Sequence, residues 1–276
     1  SALFQSWGSI TIINPLEKIW NGYSDTRMGA SMDSYLNGYN DPRLPVYFQP
    51  VTEGDNKGEY RGVANGMPNP QQEDYKAMSA PNVQEKSTDS PLRWMMASEV
   101  AFLRAEGAMR GWTAEMGGTA EEFYNKGIEL SFLENGLRAD AAARYAADET
   151  SKPTDFTDVS AANTKYNISA LGKITIKWNA GASEEEQLER IITQKWIAMF
   201  PNGTEAWSEF RRTGYPLIFP VRSNYPTSGV DTNKQIRRMV FPQSEYSNNG
   251  AAVQEAVKLL GGPDNGGTKL WWDKKN

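Results

Sequence analysis

The sequence predicts a mostly α-helical, multihelical protein with long irregular loops. Three observations carry that expectation. Residues 183–220 read as a helical hairpin, residues 91–136 read as a second antiparallel helix pair, and residues 51–90 show no periodicity. Helical spacing with sharp stops in the first two stretches gives the helices. The third stretch, rich in Gly, Pro, Asn, Gln and Ser, gives the loop.

The hairpin is the clearest element. Ser183 can cap a first turn, and Glu186, three residues on, completes a capping box. Glu184, Glu185 and Glu186 also place negative charge at the positive end of the helix dipole. Leu188, Ile191, Ile192, Lys195, Trp196, Met199 and Phe200 then recur at spacings of three and four, which makes one wide apolar face. Pro201, Asn202 and Gly203 stop the helix, and Thr204 is placed to cap a second, shorter one. That helix buries Trp207 and Phe210, carries Arg211 and Arg212 towards its negative end, and stops at Gly214, Tyr215 and Pro216. Trp196 and Trp207 are therefore expected to be largely buried in a core.

In chain order, residues 15–23 place Leu16, Ile19, Trp20 and Tyr23 at near-helical spacing. Residues 27–38 make a better helix, with Met28, Met32, Tyr35 and Leu36 on one face. Asp41-Pro42 breaks it and sets Arg43 where it can pair with a carboxylate or a helix end. Residues 51–90 are expected to be an ordered surface loop packed on helices. Ser90-Pro91 reads as a helix start, serine as cap and proline in the first turn, for a helix that continues to Gly111. Ala101, Ala105 and Ala108, with Gly107, give it faces of small residues that let another helix approach closely. Thr119 and Glu122 form a second capping box, opening a helix with Phe123, Tyr124, Ile128 and Phe132 facing inwards and a stop at Gly136. This pair has the size of one tetratricopeptide unit, and one such unit cannot bury its faces alone. An exposed apolar patch, or its burial against another molecule, is therefore expected around Phe102, Met109, Phe123 and Phe132. An alanine-rich helix over 138–148, an extended segment over 173–178 and a short helix over 250–260 complete the chain.

Composition narrows function. The chain has 276 residues, 34 acidic and 29 basic, for a net charge of −5, which argues against nucleic acid as a partner. It contains no cysteine, hence no disulfide, thiolate nucleophile or thiolate metal site. Histidine is absent too, which removes serine–histidine and cysteine–histidine catalysis and every histidine-ligated metal. A pair of carboxylates could still hydrolyse a glycoside, but the acidic residues cluster at helix starts, where capping and solvation explain them. Asp264-Asn265-Gly266-Gly267 lacks the alternating oxygen ligands of a calcium loop and reads as a glycine-rich turn. No apolar run reaches the roughly 18 residues of a membrane-spanning helix. No catalytic residue, metal site or cofactor is therefore expected.

The string TQKWIAMFPNGTEAWSEFRRTGYP resembles the C-terminal half of the SusD/RagB family of surface nutrient-binding lipoproteins. DPRLPVYF, the YRG at Tyr60 to Gly62, SEVAFLRAEGAMRGW with AEEFYNKGIELSF, IRRMVFP and the closing Trp-Trp-Asp resemble further elements of that family, in order over residues 27–276. The resemblance implies a SusD-like fold with a tetratricopeptide-like helix pair. It also implies that residues 1–276 are a single C-terminal domain of a longer protein, lacking an N-terminal repeat region, a signal sequence and a lipid anchor. By the same resemblance the protein sits at the outer membrane, on the cell surface, where it binds an oligosaccharide without catalysis. It passes that ligand to a TonB-dependent transporter of SusC type. Two alternatives stay open: a peptide ligand, or a purely structural piece that docks the transporter.

Sugar rings pack their C–H faces on flat aromatic side chains, and nine tryptophans exceed what a core of this size needs. The candidate ligand contacts are Trp7, Trp20, Tyr23, Tyr60 and Tyr75.

Overall fold

Apolar periodicity resolves into helices α1 (Ala30–Gly38), α2 (Ala97–Met109), α3 (Ala120–Glu134), α4 (Ala139–Ala146), α5 (Glu184–Ala198), α6 (Gly203–Thr213) and α7 (Gln243–Leu259). The structure is a computed structural model that describes residues 2–4, 16, 18–67, 72–82, 92–224 and 228–275. The fold is mostly α, as the sequence predicts. Two short strands, β1 (Ala2–Phe4) and β2 (Leu92–Met95), pair antiparallel with Leu3 opposite Arg93.

The main core lies between α1, α2, α3, α4 and α5. Tyr35, Leu36, Phe102, Tyr124, Ile128, Phe132, Ile191 and Ile197 are almost fully shielded from water there. Helices α2 and α3 pack closely because Gly127 lies under the Phe102 ring. A Cβ added at Gly127 would come within 2.6 Å of that ring. Thr119 caps α3 through the expected reciprocal box with Glu122.

Several boundaries differ from the sequence reading. Residues 92–95 are extended rather than helical, and α2 starts at Ala97; Ser90 and Pro91 lie outside the described residues. The carboxylate of Glu134, at the far end of α3, serves as the cap, with Oε1 accepting from the Ala97 and Ser98 amides at 2.8 and 3.2 Å. At α5 the Ser183 hydroxyl accepts from the Glu186 amide at 3.2 Å, but Glu186 turns its carboxylate to Arg190 (2.6 Å) instead of closing a box. Asn202, not Thr204, caps α6 by accepting from the Glu205 amide. Lys18–Gly22 makes one turn of π-helix. Helix α7 begins earlier than expected and breaks its helical geometry at Asn249.

The segment over 173–178 alternates inward and outward, with Ile174, Ile176 and Trp178 buried, yet joins no strand among the described residues. Side chains satisfy its backbone instead. Tyr39 donates to the Ile174 carbonyl, Tyr124 to that of Ile176 and Arg190 to that of Lys177. The described part of the 51–90 loop is ordered against the start of α1. Met28 N donates to Ser79 O, Val63 N to Met28 O and Ala30 N to Val63 O, while Val51, Tyr75 and Met78 form a small core of their own. No exposed patch forms at the four expected positions. Phe102 and Phe132 are fully buried, Phe123 and Met109 half-buried, and the exposed apolar side chains of the pair are Val100, Leu103 and Leu133.

Arg43 pairs with a carboxylate, that of Asp41, as the Asp41-Pro42 break suggested, and it is fully buried. Its Nε and Nη2 reach the two carboxylate oxygens at 2.9 and 2.7 Å. Replacing only the cation leaves a buried carboxylate uncompensated. Arg43→Met is therefore expected to lower stability by about 3–5 kcal/mol, read as a fall in the urea midpoint. Breaking the solvent-exposed Arg138–Asp140 pair should produce no comparable shift.

Candidate ligand-binding site

The turn between α5 and α6 places aromatic rings around an open cavity of ≈ 520 Å³. Trp196 and Phe200 stand one turn apart on α5 and its C-terminal extension, so their side chains share a face. Trp207 and Phe210 come from α6, and Trp20 from the turn before α1. Trp20 stacks on Phe200 with ring centroids 6.1 Å apart and planes 9° from parallel. Phe200 in turn packs on Tyr47 and Phe48 at 4.9 and 5.0 Å, and Trp196 meets Tyr35 edge-on at 5.6 Å. Trp207 is held by its Nε1–H, which donates to the Ile236 carbonyl at 2.7 Å, and by the Arg211 guanidinium 3.5 Å over its ring. Arg27, Asn65 and Gln235 contribute polar groups to the same wall.

Trp196 and Trp207 therefore meet the sequence reading in part. Both are half-buried, each packed on the protein while lining the cavity. Helical periodicity marks a residue as facing inwards, but it does not distinguish a filled core from a concave surface. The usable signal was the width of the apolar face on α5, which exceeds the stripe needed to cover one neighbour.

Of the sequence-chosen candidates, Trp7 lies outside the described residues. Trp20 lines the cavity. Tyr23 is 62% exposed a few residues further on, with the Lys18 ammonium 5.8 Å from its ring. Tyr60 packs against the main core. Tyr75 is buried, donating to Asp158 at 3.0 Å and accepting from Asn163 at 2.7 Å. Burial, with Asp158 adding to it, pushes its hydroxyl up to about 12. The structure thus brings Trp20 to the cavity, leaves Tyr23 at the surface nearby, and commits Tyr60 and Tyr75 to packing. Arg27, Asn65 and Gln235 gave no signal in the sequence, because they reach the wall from irregular segments.

Several acidic side chains elsewhere are committed to neighbours. The Asp264 carboxylate pairs with Arg238 and accepts from the Tyr246 hydroxyl at 2.7 Å, which makes the glycine-rich segment a closed turn. Among the described residues no group of three or more acidic side chains is placed to hold a metal ion. Glu189 is different. It lines a polar cavity with Lys152, Lys173 and Tyr215, and its Oε1 is buried without a hydrogen-bond partner among the described residues. Burial raises its carboxyl to about 7; Arg190 opposes the shift, and Glu186 and Glu185 add to it.

The chain belongs to the SusD-like family, that of SusD and RagB outer membrane lipoproteins, whose model matches residues 2–273. That membership places it at the outer membrane, and no described helix is long and apolar enough to cross one. Among solved structures it is similar to a chitin-binding SusD homologue from Flavobacterium johnsoniae, at 42% identity and a TM-score of 0.88. The match covers 97% of this chain and 54% of that one. A SusD-like protein from Bacteroides thetaiotaomicron is 43% identical with a TM-score of 0.87, over 96% of this chain and 54% of that one. A SusD homologue from Bacteroides vulgatus is 38% identical with a TM-score of 0.89, over 99% and 54%. The chain thus spans little more than half the length of these relatives. No match was found among curated proteins.

Glu189 gives the pH dependence its sign. The folded protein keeps the proton up to about pH 7, whereas the unfolded chain releases it near 4.5. The stability it contributes is complete below about pH 4.5 and is lost as the pH rises through 7. Glu189→Gln should remove about 1–2 kcal/mol of that loss, the full shift being discounted for partial solvent access. Urea unfolding at pH 5 and pH 8 measures it, and an unchanged difference between the two would refute the assignment.

Proposed function

We propose that this chain binds an oligosaccharide at the bacterial cell surface, without catalysis, for delivery to a TonB-dependent transporter of SusC type. The observation that carries this reading is the cavity in which Trp20, Trp196, Phe200 and Trp207 form the walls and Asn65, Gln235 and Arg27 supply polar groups. Indole and phenyl faces take the C–H faces of pyranose rings, while side-chain amides exchange hydrogen bonds with hydroxyls. The chitin-binding relative supports a glycan as the ligand class. Trp20 and Tyr23 are the contacts retained from the sequence candidates. Residues 1–276 act on this reading as a single SusD-like domain of a longer protein, which fits a chain half the length of its relatives.

Titration with chito-oligosaccharides should perturb tryptophan fluorescence saturably, because three indoles line the cavity. Trp20→Ala should weaken binding about tenfold, the scale of a contact worth more than 1 kcal/mol, with an unchanged circular dichroism spectrum. If a panel of neutral oligosaccharides leaves the fluorescence unchanged while a peptide library perturbs it, the ligand class is wrong.

A further inference from the structure

We propose that the aromatic cavity selects uncharged glycans, N-acetylated amino sugars among them, against their protonated, deacetylated counterparts, and that Arg27 sets this selection. The inference rests on the glycan reading above and adds the charge class of the ligand.

Arg27 is a half-buried residue of the wall, and among the described residues its guanidinium hydrogen-bonds to backbone carbonyls only. Nε and Nη2 donate to the Lys76 carbonyl at 3.1 and 2.5 Å, and Nη1 donates to the carbonyls of Ser24 and Thr26 at 3.0 and 2.8 Å. A guanidinium has five N–H donors and remains charged in proteins, so four are committed and one is left to a neutral oxygen. Carbonyl partners orient the group but do not cancel its charge. Asp25, the carboxylate whose field it feels, belongs to the exposed turn beside it. Among the described residues that line the cavity none is acidic.

An aromatic wall would ordinarily attract an ammonium group through the negative faces of its rings. Here three of those rings are already engaged. The Arg211 guanidinium lies 3.5 Å over Trp207, and Trp20 and Phe200 stack on each other. A sugar ammonium entering the cavity would therefore lose water, find no counter-charge on the wall and meet one fixed cation, with a second behind Trp207. An acetamido group has no such difficulty. Its N–H and C=O match the donor and acceptor groups of Asn65 and Gln235, and its methyl packs on an indole. Gln235 keeps capacity for this, since its Nε2 spends one donor on the Phe219 carbonyl at 3.2 Å.

The test compares fully acetylated and fully deacetylated chito-oligosaccharides of equal length, with a neutral cello-oligosaccharide as control, by calorimetry on the unaltered chain. At about pH 5.5 the deacetylated ligand should bind at least tenfold more weakly than the acetylated one. Raising the pH to about 8.5, across the range where amines of this kind lose their proton, should recover most of that factor while the acetylated and cello ligands change little. Arg27→Gln, checked by circular dichroism, should shrink the ratio between the two ligands at the lower pH. If the deacetylated ligand binds equally well at both pH values, charge selection is wrong while the glycan reading stands. If none of the three ligands binds, both readings fall. The pH series needs no variant, so a poorly folded Arg27→Gln does not block the decision.

Discussion

Arg43 is the constraint on which the arrangement of helices depends. Its side chain is fully buried, and its guanidinium reaches Asp41, Ser131 on α3, Tyr145 on α4 and Gln194 on α5. A charge removed from water survives only if its donors are met with good geometry, so each of these partners is held to a narrow range of positions. The rings of Phe132 and Tyr145 lie 5.1 and 5.2 Å from the guanidinium and close its surroundings. One side chain from the break after α1 thereby ties the α2–α3 pair to the α5–α6 hairpin. Apolar burial supplies most of the driving force for folding. Contacts of that kind are tolerant of sliding, whereas a forked guanidinium is not.

A second buried network joins the same bodies from the other side. Lys195 on α5 donates to Glu205 and Glu209 on α6 at 2.7 and 3.0 Å, and Arg212 on α6 reaches both oxygens of Glu106 on α2 at 2.6 Å. Burial lowers the Lys195 ammonium, but Glu209 and Glu205 outweigh it and hold the group above its ordinary range. Gln194 and Lys195 are adjacent on α5, so consecutive residues anchor the helix to opposite neighbours. With α5 fixed on both sides, Trp196, next to Lys195, and Phe200, one turn further on, are carried to the wall of the cavity.

Local signals account for what was legible in the sequence. The Thr119–Glu122 box, the apolar face of α5 and the Asp41-Pro42 break each depend on residues within one or two turns of one another. The misread features depend on distant partners. Residues 92–95 look helical by composition, but β1 pairs with them from the other end of a long stretch of chain. Glu134 caps α2 across 36 residues, a relation without a local pattern. The cavity combines both cases. Its α5 and α6 rings are visible as apolar periodicity, whereas Arg27, Asn65 and Gln235 arrive from irregular segments whose positions follow from tertiary contacts.

That division bears on how ligand preference can be adjusted in such a fold. Trp196 and Phe200 each touch the packed interior as well as the cavity, and Trp207 is tied to Ile236 and Arg211, so changing any of them alters the hairpin along with the cavity. Trp20 and Arg27 are attached differently. Trp20 stands on a single turn and leans on Phe200, and Arg27 is fixed by carbonyls that any sequence would supply. Loops on a rigid scaffold commonly carry specificity. In this chain the hairpin supplies the apolar floor of the cavity, and on the glycan reading proposed above the segment ahead of α1 would set which charge and shape that floor accepts.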